Sequence, residues 1–207
     1  YSKYFINQVA ILATEMTRRS PNTLFVFAAG NDGLNNDEFG TSPANIVAPN
    51  SITIAASFGQ KSIANFSNFG TKYVHVAAPG VIINSSIPGD EYLKVSGTSQ
   101  ASPYVAGVAS KVKDINPSLT PEQIKNIIIR TVDKKEFLAG KIASPGIVNP
   151  ERAYCVAQAS MMIGFDWAFG ECMDVDDQES TKTPTEATKM SFTGEPIQMT
   201  ELYTIEQ

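Results

Sequence analysis

A serine, an asparagine and a lone histidine are the residues whose types and neighbours could do chemistry. Ser99 lies in "SGTSQASPYVAGVAS" (Ser96 to Ser110), a Gly-Thr-Ser step followed by a proline and a run of small residues. A helix starting there would put the Ser99 oxygen beside unsatisfied backbone N–H groups and the positive end of the helix dipole. Such donors stabilise a developing negative charge, so Ser99 could serve as a nucleophile. It could equally be a helix-cap serine, the commoner use of the residue. Asn31 closes "FVFAAGND", directly after Gly30 at the end of an apolar run. Its side-chain amide could aim an N–H into a cleft, or simply complete a turn. His75, the only histidine, sits in the alternating "YVHVAA" and reads as a partly exposed strand residue.

The surrounding pattern says what must hold these groups. Phe5, Val9, Leu12 and Met16 recur at helical spacing over Ser2 to Arg19, and Ser20-Pro21-Asn22 ends that helix. "TLFVFAAGN" is continuously apolar, as expected of a strand with both faces covered. A polar loop over 33–50 precedes short strands at 51–56, 73–77 and 91–95. The helix from about Ser99 to Ile115 carries Ala101, Ser102, Ala106, Gly107 and Ala109, slim enough for a crowded core, with Pro103 expected in its first turn. Thr120, Pro121 and Gln123 announce a second helix with a capping box, its Ile124, Ile127, Ile128 and Thr131 sharing one face. A third starts at Asn149-Pro150. Helices alternating with short apolar strands imply an α/β layered domain with a mainly parallel sheet.

Composition narrows the function classes. With 43% hydrophobic and 18% charged residues the chain is an ordinary globular sequence. It holds no apolar run long enough to span a membrane and no basic patch suited to nucleic acid. Residues 174–207 carry a net charge of −6, while the rest carries +1. That end reads as an acidic extension beyond a main domain of residues 1–173, although Ile197, Met199, Leu202, Tyr203 and Ile205 give it apolar content for docking, as a C-terminal propeptide would. Cys155 and Cys172 lack the spacing of a zinc site, so either a disulfide or two buried thiols fits. The chain opens on Tyr1 without a signal-peptide pattern, which suggests a start other than that of translation.

Four segments, taken together, resemble the subtilisin-like serine protease family. "SGTSQASPYVAGVAS" is similar to its nucleophile motif and "FAAGND" to its oxyanion-asparagine motif. "NFSNFGTKYVHVAAPG" and "PGIVNPERA" resemble its Phe-Ser-x-x-Gly…Ala-Pro-Gly and closing Gly-x-Val-Asn segments, in the same order. The resemblance covers about residues 1–159. It implies a three-layer subtilisin-like fold, with Ser99 as nucleophile attacking a scissile carbonyl. The amide of Asn31 and the backbone N–H of Ser99 would form the oxyanion hole. Ala28, Gly30 and Asp32 match positions lining the primary specificity pocket, with Thr41 near its base. Asp32 at the rim would favour a basic or polar side chain. Ser42-Pro43 matches a position where the peptide bond is often cis. Gln100 stands where the family usually has Met, and Tyr104 where it usually has His; neither is required for the mechanism.

A serine nucleophile needs a base, and that base an orienting carboxylate. Nothing here resembles the family's Asp and His motifs, and His75 falls on a segment that the family does not use for catalysis. The opening residues match the helix after the family's substrate-binding strand. The chain thus looks like the C-terminal half of the catalytic domain. Its expected partners are an N-terminal chain of the same precursor, carrying Asp and His, and a polypeptide substrate. A half sheet should expose apolar edges and faces to water. No cofactor is required for such chemistry. The resemblance implies that structural calcium, where present, is held by loops of the missing half; the acidic loop of Asp32, Asp37 and Glu38 has no calcium-motif spacing and reads as a solvated loop. The implied localisation is extracellular or otherwise exported. The alternative is a pseudoprotease or regulatory binding module that keeps the fold without a working triad.

Overall fold

The computed structural model describes the backbone of residues 3–173, and side chains at residue 8 and from residue 10 onward. Phe5, Val9 and the acidic extension lie outside the described side chains or residues. The elements run α1 (Lys3–Arg19), β1 (Phe25–Ala28), β2 (Ser51–Phe58), β3 (Ser62–Ile63), β4 (Val76–Pro79), β5 (Ile83–Ile87), β6 (Glu91–Val95), α2 (Thr98–Ile115), α3 (Pro121–Arg130), β7 (Asp133–Lys134), β8 (Gly146–Ile147), α4 (Pro150–Ile163) and α5 (Phe165–Met173). One sheet has the order β1-β2-β4-β8-β7, with β3 on β2. The β1–β2, β2–β4 and β4–β8 pairs are parallel, while β3 and β7 pair antiparallel. The segment at 91–95 forms a separate hairpin with β5.

Period-two alternation in β2 builds the layers. Ile52, Ile54 and Ala56 face a core with Val105, Val108 and Val112 of α2, Ile124, Ile127 and Ile128 of α3, and Val156 of α4. Ala55 faces the opposite side, where Val74, Ala77, Leu138, Ile142 and Ile147 pack. In α3, Thr120 Oγ accepts the Gln123 N–H at 3.2 Å and Gln123 Oε1 accepts the Thr120 N–H at 2.9 Å, the reciprocal cap that the sequence predicts. Asn149 caps α4 through the Arg152 N–H.

One sequence expectation changes here. β1 is half-buried along its whole length, and on its outer side no strand pairs with it among the described residues. A groove of about 210 Å³ lined by Leu24, Val26, Ala106, Ala109 and Ile124 runs beside it. In α1, Leu12 and Met16, which recur at helical spacing, are 69% and 50% exposed. The helical periodicity is real, and both side chains are at least half exposed among the described residues.

Cys155 and Cys172 form a disulfide that joins α4 to α5, with Cα atoms 5.9 Å apart. Helix α5, which the sequence pattern does not announce, buries Ala168, Phe169 and Cys172. The Arg130 guanidinium stacks 3.5 Å from the centre of the Phe169 ring, fastening α5 to α3.

Candidate active site at the start of helix α2

The strand β1 and the helix α2 deliver the two halves of the site. Beyond β1, Ala29 is held by its N–H to Ile54 O at 3.0 Å. Gly30 then turns at φ +115°, and a Cβ there would meet Asn68 Nδ2 at 2.5 Å, so both conformation and space require glycine. The turn sends Asn31 toward α2. There its Oδ1 accepts the Thr98 N–H at 2.8 Å and the Thr98 hydroxyl at 2.9 Å. The Thr98 Oγ in turn accepts the Gly30 N–H at 3.3 Å. With Oδ1 clamped, the Asn31 amide can direct only Nδ2 outward.

Helix α2 is capped by Gly97, and Ser99 is its second residue, exposed at the N-terminus. Ser99 is therefore not the cap residue. Pro103 lies inside the helix rather than in its first turn. Having no N–H, it leaves the Ser99 carbonyl without the usual i+4 donor. Ser102 Oγ donates to Thr98 O at 2.9 Å and reinforces that turn. A Cβ built on Gly97 would lie 3.6 Å from Asn31 Nδ2 and 3.6 Å from the Ser99 nitrogen. Both donors therefore border the place where residue 97 lacks a side chain, with the flexible Gln100 side chain bringing its Oε1 to 2.7 Å of the same point.

Behind Asn31 the loop is fixed by buried asparagines. Asn68 Oδ1 accepts the N–H groups of Asp32 and Leu34 at 2.9 and 3.1 Å, and Asn68 Nδ2 donates to Asn36 Oδ1 at 2.9 Å. The Thr41 hydroxyl donates to the same Asn36 Oδ1 at 3.0 Å, and Asn36 Nδ2 donates to Ala29 O at 2.9 Å. Gly30, Asp32 and Thr41 are thus joined through one network, with Asp32 exposed at its rim. Ala28 stays in β1, opposite Ile54. The Ser42–Pro43 peptide bond is cis. Sequence reasoning missed Thr98, Asn36 and Asn68 as supports. Thr98 was visible in the Gly-Thr-Ser step, but the asparagines carry no signal until the loops close.

His75 takes no part in this cluster. Its Nδ1 accepts the Thr53 N–H at 3.0 Å, so the imidazole serves as a backbone acceptor for β2. It lies directly before β4 and is half-buried, as a partly exposed position would be. Burial first, and then the charge of Lys125, push its pKa down to about 4. The Asp37 carboxylate accepts from the Thr71 N–H and hydroxyl and from the Lys72 N–H, at 2.8, 3.0 and 3.1 Å.

The family model described as "Subtilase family" matches residues 2–151. The chain belongs to the subtilase family. Among relatives of this subtilase chain, Subtilisin-like protease 2 of Plasmodium falciparum (isolate 3D7) is 30% identical over 168 residues, 79% of this chain and 12% of that protein. Alkaline elastase YaB of Bacillus sp. (strain YaB) is 40% identical over 134 residues, 63% of this chain and 32% of the relative. The chain spans from 12% to 47% of the length of such curated relatives. Solved structures agree on the fold. The subtilase cytotoxin SubAB assembly matches with TM-score 0.65 at 26% identity, covering 76% of this chain and 57% of that one. A cold-adapted subtilisin-like serine proteinase matches with TM-score 0.52 at 31% identity, covering 59% and 45%. The mostly parallel α/β sheet is therefore a subtilisin-like one.

Proposed function

We propose that this subtilase chain is the nucleophile-bearing part of a serine endopeptidase that cleaves polypeptides through an acyl-enzyme on Ser99. The observation that carries the reading is the shared space bordered by Asn31 Nδ2 and the Ser99 N–H. A carbonyl oxygen becoming negative there would accept from both. Ala28, Gly30, Asp32 and Thr41 line the approach to the substrate side chain, and Asp32 favours a basic or polar residue before the cut bond.

The base comes from a separate N-terminal chain of the same precursor, which carries the Asp and His. The half-exposed β1 edge and the uncovered Leu12 and Met16 support such a partner, since apolar surface of this kind is stable when covered. A disulfide between Cys155 and Cys172 suits an exported protein. Any calcium belongs to the N-terminal chain, and the chemistry at Ser99 uses none.

The test is to produce the chain together with its N-terminal portion and treat it with a peptidyl phosphonate, reading the adduct by intact mass and peptide mapping. Labelling of Ser99 that is lost in Ser99→Ala is the expected result. Absence of labelling, with peptide substrate left intact, would favour a binding module that keeps the fold. That second reading draws on one observation: His75, the chain's only histidine, is committed to Thr53.

A further inference from the structure

Two Asn-x-Ser steps occur in the sequence, Asn65-Phe66-Ser67 and Asn84-Ser85-Ser86; in Asn116-Pro117-Ser118 the central proline breaks the pattern. The fold treats the two differently. At the first, Asn65 is exposed, but Ser67 is only 2% exposed and its hydroxyl is spent. The Ser67 Oγ accepts the Ala56 N–H at 2.9 Å and donates to Asn68 O at 3.0 Å. At the second, both polar side chains stand on the surface. Asn84 and Ser86 lie two residues apart in β5 and so share one face, opposite Lys94 and Tyr92 of β6. All four are exposed, whereas Ile83, Ile87 and Val95 on the other face are half-buried. Among the described residues no hydrogen bond engages the side chain of Asn84.

We propose that Asn84 is a site of N-linked glycosylation. This rests on the reading of the chain as exported, which the Cys155–Cys172 disulfide supports. The donor is an oligosaccharide carried on a polyprenyl diphosphate in the secretory compartment. The Asn84 Nδ2 forms a bond to the anomeric carbon of the first sugar, and the bond from that carbon to the diphosphate oxygen breaks. Polyprenyl diphosphate leaves, one amide proton passes to a base of the transferase, and nothing is oxidised or reduced. The transferase reads the Ser86 hydroxyl beside the amide. That hydroxyl stays on the surface after folding, while folding withdraws Ser67 into the body, so the window for transfer is longer at Asn84 than at Asn65. The fold also gives the glycan a use. The hairpin is a sheet of two strands with unpaired outer edges among the described residues, and Tyr92 is 71% exposed on the face that Asn84 shares. Open edges of this kind invite pairing with another chain, and a bulky hydrated group over them opposes it.

The protein, with its N-terminal portion, is produced in a eukaryotic cell that secretes it and is digested without reduction. Peptides are then mapped before and after treatment with peptide N-glycosidase in heavy-oxygen water, which turns a glycan-bearing asparagine into an isotope-labelled aspartate. The expected result is that label at position 84. It should vanish in Asn84→Gln and in Ser86→Ala, and persist in Ser86→Thr, which keeps the hydroxyl. The cross-linked Cys155–Cys172 peptide in the same digest shows whether each variant folded in an oxidising compartment. A bare Asn84 in the secreted parent would overturn the proposal, and so would a glycan confined to Asn65. Label at position 84 that survives Ser86→Ala would overturn it too, since the Asn-x-Ser step would then not be what is read. If the parent yields Cys155 and Cys172 as free thiols, the export reading falls and the glycan with it. If they are bonded and Asn84 is bare, only the glycan is lost.

Discussion

Strands β1 and β2 lie side by side, parallel, with Phe25 to Ala28 aligned on Ser51 to Ile54. Both are rich in apolar residues, and by composition β1, with two phenylalanines, is the more hydrophobic. Yet β2 buries every residue from Ser51 to Ser57, whereas β1 buries none completely. Position makes the difference. β2 has a strand on each side and packed cores on both faces, while β1, among the described residues, ends the sheet with one neighbouring strand. A sequence suited to a sheet interior therefore stands at an edge, and the site hangs from the end of that edge strand. The closed side supplies stability, and the open side is where further polypeptide would add most.

Core truncation tests that contrast with the largest effect. Ile54→Ala, in a fully buried position, should cost about 2–5 kcal/mol by denaturant unfolding. Val26→Ala, half-covered on the open side, should cost roughly 1 kcal/mol in this chain alone. Adding the N-terminal portion should raise the cost of Val26→Ala toward the interior value; an unchanged cost would show that nothing packs there.

Acid sharpens the same comparison from within the sheet. Because the imidazole of His75 has a pKa near 4 when folded, against 6.5 for the free group, the unfolded chain binds a proton between those values that the folded chain does not. Its contribution is complete above pH 6.5 and falls away as the pH drops to about 4, amounting to about 3 kcal/mol. Stability measured across this window should lose that slope in His75→Asn, whose side-chain oxygen can still accept the Thr53 N–H.

The smallest effect concerns the clamp on Asn31. Thr98→Val removes the hydroxyl bonded to Asn31 Oδ1 and orphans the Gly30 N–H, while the backbone bond from residue 98 remains. In the active assembly kcat should fall roughly tenfold with KM little changed, and Thr98→Ser should restore most of it. A change confined to KM would show that the hydroxyl does not position Asn31.

Much of the architecture could be read locally. Thr120, Pro121 and Gln123 specify a helix start within four residues, and the isoleucines after them repeat at the helical period. Asn31 stood out because it follows Gly30, and Ser99 because it closes a Gly-Thr-Ser step, each at the junction of two elements. Other features had no such local mark. The hairpin of β5 and β6 depends on pairing across a turn, and α5 gains its place from the disulfide and the Arg130–Phe169 contact. Asn36 and Asn68 matter only because two loops 32 residues apart enclose them together.

By itself, the amino-acid sequence determined the periodicities, the caps, the glycine turns and the two motifs that mark the chemistry, since each depends on neighbours a few bonds away. Only the tertiary structure decided which apolar surfaces are covered, that the lone imidazole serves the sheet, and that Thr98 holds the Asn31 Oδ1. Those outcomes are set by which distant backbone groups compete for the same hydrogen bond or the same buried space, and no local pattern records that competition.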